Sequence, residues 1–165
     1  MRKWPVSIVA AATGIGLLAG PTLAQTATDV FVVSITIENA CTIDVTDLSF
    51  GTASDLSSSI AASTSGTVTC TSTNPVAISF DPGSGGSSTF ATRHMESGVE
   101  TIDYNLYRDA AHTEILGDGS GGTFTIGVTS TGGADPFDVF GLTQGGQNPK
   151  PVGTYTSTIT ATVAF

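Results

Sequence analysis

The chain is 165 residues long and carries five basic residues against fourteen acidic ones, a net charge of −9. Beyond Arg2 and Lys3 only Arg93, Arg108 and Lys150 are basic, so no cluster of cations is available to a phosphate backbone, and nucleic-acid binding is set aside. Thr, Ser and Gly dominate, which disfavours helices and suits strands joined by turns.

Arg2 and Lys3 precede an apolar run from Val6 to Gly20, and Thr22-Leu23-Ala24 puts small residues before Gln25. Residues 1–24 therefore read as a secretory signal peptide cleaved after Ala24. The run is short for a membrane span and contains Gly14, Gly16 and Gly20, which argues against a retained anchor. Residues 25–165 then suit one exported domain.

Alternation recurs along that domain. Val30 to Ile37 reads as a strand with Phe31, Val33, Ile35 and Ile37 on one face. Leu48-Ser49-Phe50-Gly51 is a short second piece. Gly66 to Thr71 places Val68 and Cys70 on one side, and Val76 to Phe80 turns Val76, Ile78 and Phe80 inward. A Gly/Ser loop follows from Pro82 to Ser88. Ile102, Tyr104 and Leu106 alternate with polar neighbours, and Phe124, Ile126 and Val128 form another strand. Val139 to Leu142 is a brief apolar patch between loops. Tyr155, Ser157, Ile159, Ala161, Val163 and Phe165 alternate to the end. Gly83–Ser88 and Thr131–Pro136 are candidate mobile tips. About seven short strands indicate an all-β fold, a β-sandwich in preference to a small barrel.

Little in the chain points to catalysis or cofactors. His94 and His112 are the only imidazoles, and no Gly-x-Ser-x-Gly elbow accompanies them. Gly117-Asp118-Gly119-Ser120-Gly121-Gly122 resembles a fragment of a calcium loop, but Asp118 and Glu114 alone fall short of the oxygens calcium needs. We therefore expect no enzyme activity, no metal and no cofactor. Cys41 and Cys70 are the only cysteines, and in an exported chain they are expected to pair as a disulfide.

Several segments together carry a family resemblance: Phe31-x-Val33-x-Ile35-x-Ile37 followed by Cys41, Leu48-Ser49-Phe50-Gly51, Val68-Thr69-Cys70, Tyr104-Asn105-Leu106-Tyr107-Arg108-Asp109, and Gly153-Thr154-Tyr155 leading to Thr160-Ala161-Thr162-Val163-Ala164-Phe165. The chain resembles the spore coat protein U domain family, which includes the major subunits of archaic chaperone–usher pili. Its Glu114-Ile115-Leu116-Gly117-Asp118 stretch departs from the aromatic residue that the family often has before Gly-Asp.

The resemblance implies an immunoglobulin-like β-sandwich, incomplete by one strand and completed by donor-strand complementation. Residues 25–40 would be the donor strand, plugging a neighbour through Phe31, Val33, Ile35 and Ile37. Residues 41–165 would be the pilin domain, with Tyr155, Ile159, Val163 and Phe165 on the acceptor strand. The implied partners are a periplasmic chaperone, an outer-membrane usher and further pilus subunits. The implied destination is a cell-surface fibre serving adhesion or biofilm formation.

The alternation alone leaves other readings open. Val30–Ile37 could fold back as an edge strand of its own domain, making a stand-alone secreted or coat binding module with a self-complete sandwich. A tip adhesin would call for an extra receptor domain. The terminal Phe165 also fits an outer-membrane barrel, although aromatic girdles would demand more than the three tyrosines present.

Overall fold

A computed structural model describes residues 24–165. The expected signal peptide, apart from Ala24, lies outside the described residues. The chain falls into two units, one ending at Ile35 and one spanning Thr36–Phe165. The described residues of the first unit are exposed and lie in no strand.

The second unit is all-β among the described residues. Its eight strands are β1 (Cys41–Val45), β2 (Ala61–Cys70), β3 (Pro75–Phe80), β4 (Arg93–Ser97), β5 (Glu100–Tyr107), β6 (Ile126–Thr129), β7 (Ala134–Thr143) and β8 (Ala161–Ala164). They form a five-stranded sheet, β1-β2-β7-β5-β4, and a three-stranded sheet, β6-β3-β8. Every strand pair is antiparallel. No helix among the described residues is long and apolar enough to cross a membrane.

The period of two decides which side chains meet between the sheets. Val76, Ile78 and Phe80 of β3 face Val68 and Cys70 of β2, Tyr104 and Leu106 of β5, and Phe137 and Val139 of β7 in one core. Gly66 in β2 is required by packing, because the Phe137 ring occupies the space a Cβ would take. β5 is buried on both faces: Asn105 and Tyr107 are covered as well as Tyr104 and Leu106.

Several sequence expectations need correction. Val139–Leu142 is no brief patch but the end of the ten-residue β7, which sits between β2 and β5. Its inward row is Asp135, Phe137, Val139, Gly141 and Thr143, so polar and glycine positions masked the alternation. Pro136 is tolerated because β7 pairs there with β2 alone, β5 joining only from Phe140 onward. The polar β4 carries no apolar period and was not foreseen, nor was β1. Leu48–Gly51 forms no strand; Leu48 and Phe50 instead pack over Gly141, whose missing Cβ leaves room for them. Val30–Ile37 also forms no strand. The loops expected as mobile tips are tied down: Ser84 donates to the Thr158 carbonyl, and the Asp135 carboxylate accepts from the Thr131 N–H and hydroxyl.

Cys41 and Cys70 form a disulfide at 2.06 Å, joining the first residue of β1 to the last of β2, its register partner. The sequence separation is 29 residues. Chain entropy for such a loop gives roughly 3.5 kcal/mol. A Cys41→Ser/Cys70→Ser double variant is expected to lose stability of that order in denaturant unfolding; an unchanged midpoint would refute the estimate.

Candidate functional site

Among the described residues β8 ends its sheet, with β3 as its only neighbour. The chain leading into it is extended and bonded on one side. Thr156 exchanges both backbone bonds with Glu96 of β4. The Thr158 carbonyl accepts from the Ser84 N–H, and the Thr158 N–H donates to Ser84 Oγ. The Thr160 carbonyl accepts from the Asp81 N–H, and the Thr160 N–H donates to Asp81 Oδ1. All three residues are even-numbered. Backbone groups alternate sides along an extended chain, so the N–H and C=O groups of Ser157, Ile159, Ala161 and Val163 face the open edge.

The same odd-numbered residues turn their side chains inward, where they are only half-buried, while the even-numbered ones are exposed. Ile159, Ala161 and Val163 pack against the core without being closed over. β1, the end strand of the other sheet, packs across from β8, and its Ile43 is likewise half-covered, as are Leu48 and Phe50. Val68, Ile78 and Leu116, by contrast, are wholly inaccessible at 0 %. The two end strands thus flank a slot with an apolar floor and, among the described residues, a row of backbone groups without partners along one wall. Such an edge is a template for another strand.

Of the residues expected on the acceptor strand, Ile159 and Val163 line this slot. Tyr155 lies at its entrance, half-buried, with its hydroxyl donating to the Pro151 carbonyl at 2.9 Å. Phe165 lies past the end of β8 and is 57 % exposed. Ser157 and Ala161 complete the row. Ser157 faces the Tyr104 hydroxyl, although its buried Oγ has no partner within ordinary hydrogen-bond length. Burial is the main influence that raises the Tyr104 pKa. On the expected donor segment, Phe31, Val33, Ile35 and Ile37 are all more than 80 % exposed.

One cluster escaped sequence reasoning. Arg93 of β4 is completely buried and meets no carboxylate. Its guanidinium donates to Asn105 Oδ1, to the Asp81 carbonyl at 2.9 Å and to the Leu116 carbonyl at 2.8 Å. The Asn105 amide donates onward to the Phe90 and Ala91 carbonyls. Burial lowers the Arg93 pKa, against the pull of Tyr104 and Asp81. This network ties the end of β3 to β4, β5 and the Leu116 segment. Asp81 also receives the Thr160 N–H, so the network reaches the bonded edge of the strand that borders the slot. The one sequence signal was Asn105, a polar residue inside the Tyr104–Tyr107 motif.

The imidazoles and the glycine loop make the following contacts. His94 Nδ1 lies 2.8 Å from Asp103 Oδ1, its cross-strand partner, while the nearby Ser88 hydroxyl accepts the His94 backbone N–H. His112 stands edge-on to Tyr107. Asp118 accepts the Ser120 N–H and hydroxyl within its own turn. Among the described residues no group of three or more His, Cys, Asp or Glu is placed to hold a metal.

Comparison with known proteins agrees with the fold. The chain is similar, at 20 % identity and a TM-score of 0.54, to a chain in the crystal structure of the CsuC–CsuE chaperone–tip adhesion subunit pre-assembly complex from archaic chaperone–usher Csu pili of Acinetobacter baumannii. The match covers 79 % of this chain and 40 % of that one, so this protein spans less than half of that chain's length. No curated protein matches it. The family profile of the Spore Coat Protein U domain matches residues 27–162. With that match spanning well over half of the sequence, the chain belongs to the spore coat protein U domain family.

Proposed function

We propose that this protein is a structural subunit of a surface pilus, assembled by the chaperone–usher pathway and polymerised by donor-strand exchange. The observation that carries the reading is the slot along Tyr155–Phe165, combined with an exposed apolar alternation, Phe31–Ile37, in the same chain. A donated strand satisfies the open backbone row, and its alternate side chains fill the half-covered floor. Four such side chains supply at most about 6–12 kcal/mol.

The subunit is exported through the periplasm. A chaperone covers the slot first, and an usher in the outer membrane exchanges it for the N-terminal segment of the next subunit. Similarity to a chain of a chaperone–subunit complex supports the chaperone step. The fibre serves adhesion or biofilm formation, and the subunit is not an enzyme. Protein sheared from the cell surface is expected to run as a ladder of oligomers in detergent at room temperature and to collapse to monomer on boiling. A stable monomer produced without any chaperone would overturn the proposal.

A further inference from the structure

The residues joining Ile37 to β1 are held by several hydrogen bonds. Beyond the first strand pair, Cys41 with Cys70, Glu38–Ala40 continue along Thr71 and Ser72. The Thr71 N–H donates to the Ala40 carbonyl at 2.9 Å. The Thr71 hydroxyl accepts the Ala40 N–H at 3.0 Å and turns its own proton toward the Glu38 carbonyl at 3.2 Å, with Asn39 Oδ1 3.3 Å away. The Ser72 hydroxyl donates to Asn39 Oδ1 at 2.7 Å. One exposed hydrogen bond opens readily to water. This set shares a few residues and sits directly beside a covalent bridge that fixes the adjacent positions.

We infer that Asn39, Thr71 and Ser72 form a fixed joint that sets the direction in which the donor segment leaves its domain, and through it the angle between consecutive copies of this chain in the fibre. The inference rests on the donor-strand reading above. Only Glu38, Asn39 and Ala40 separate the last plugging residue, Ile37, from the disulfide at Cys41. A strand seated in a neighbour's slot is held at one end and the domain at the other, so the three linker residues join the two and pass direction between them. A free three-residue linker would act as a swivel; a pinned one transmits direction.

Two variants test this. Asn39→Ala/Ser72→Ala removes the side-chain part of the joint. A Gly-Ser-Gly insertion between Ile37 and Glu38 leaves every joint contact in place but uncouples the donor segment from it. Both are expected to keep wild-type fibre yield and the unboiled detergent ladder. Electron microscopy should show blurred helical order and a persistence length clearly below wild type, because a flexible spacer transmits no direction. Wild-type rise, twist and persistence length in both variants would overturn the inference. So would loss of fibres from folded, disulfide-bonded Asn39→Ala/Ser72→Ala subunit, which would place these residues in strand exchange itself. If that variant fails to fold, the insertion decides alone. Failure of the donor-strand reading would show separately, as absence of a ladder from the wild-type protein.

Discussion

Replacing Val33 by arginine is expected to abolish surface fibres while the subunit persists in the periplasm. Val33 lies in the middle of the Phe31–Ile37 row, so its partner in the slot would sit on the apolar floor made by Ile159, Ala161 and Val163. None of the expected acceptor residues is charged. Burying an unpaired guanidinium there costs several kcal/mol, a large share of what the four plugging side chains can supply. The variant keeps its own slot and core, so it still folds on a chaperone and accepts a strand, but it cannot donate one well. The measurement is fibre yield by microscopy, set against the periplasmic subunit level. Abundant fibres from V33R would refute donation through this row. Val32→Arg is the matched control: the alternate face of the segment looks away from the floor, so its fibres should survive.

The second large effect is expected at Arg93. Arg93→Met keeps the volume and deletes the guanidinium, leaving the Asn105, Asp81 and Leu116 acceptors with lost donors in a buried site. Leaving a buried neutral acceptor without its donor costs about 1–3 kcal/mol, and three acceptors are affected here. That should lower the melting midpoint of purified fibres by on the order of 10 °C. Arg93→Lys retains the charge but cannot span the three acceptors with one ammonium, and should fall between Met and wild type. A midpoint for Arg93→Met equal to wild type would show that water replaces the guanidinium at no cost. Because Asp81 also holds Thr160, loosening this network should weaken strand retention as well as folding.

Much of the domain was legible because burial in a strand follows a period of two. The inward rows Val76-Ile78-Phe80 and Ile102-Tyr104-Leu106 are read directly from residue type, and all six side chains are buried. The disulfide followed from two cysteines and an export signal, and it is present. β7 and β4 were lost for the opposite reason. The inward row of β7 includes Asp135, Gly141 and Thr143, and β4 reads Arg-His-Met-Glu-Ser, so neither advertises an apolar face. Asp135 is held inside by the Thr131 N–H and hydroxyl of the adjoining turn, and Arg93 by carbonyls of distant segments.

By itself, then, the sequence determined which side chains of each recognisable strand point the same way, including the Phe31–Ile37 row and the Tyr155–Phe165 row. These are local properties, set by alternation along a few residues. Whether a row is covered is not local. Only the tertiary structure decided that Tyr155–Phe165 is bonded along one edge, first to Glu96 and then to β3, and open along the other. It likewise decided that Arg93 is buried against the Asp81 and Leu116 carbonyls and that Glu38–Ala40 is pinned to Thr71 and Ser72. Each of these depends on segments more than ten residues apart meeting in space, and no spacing within one strand encodes that meeting.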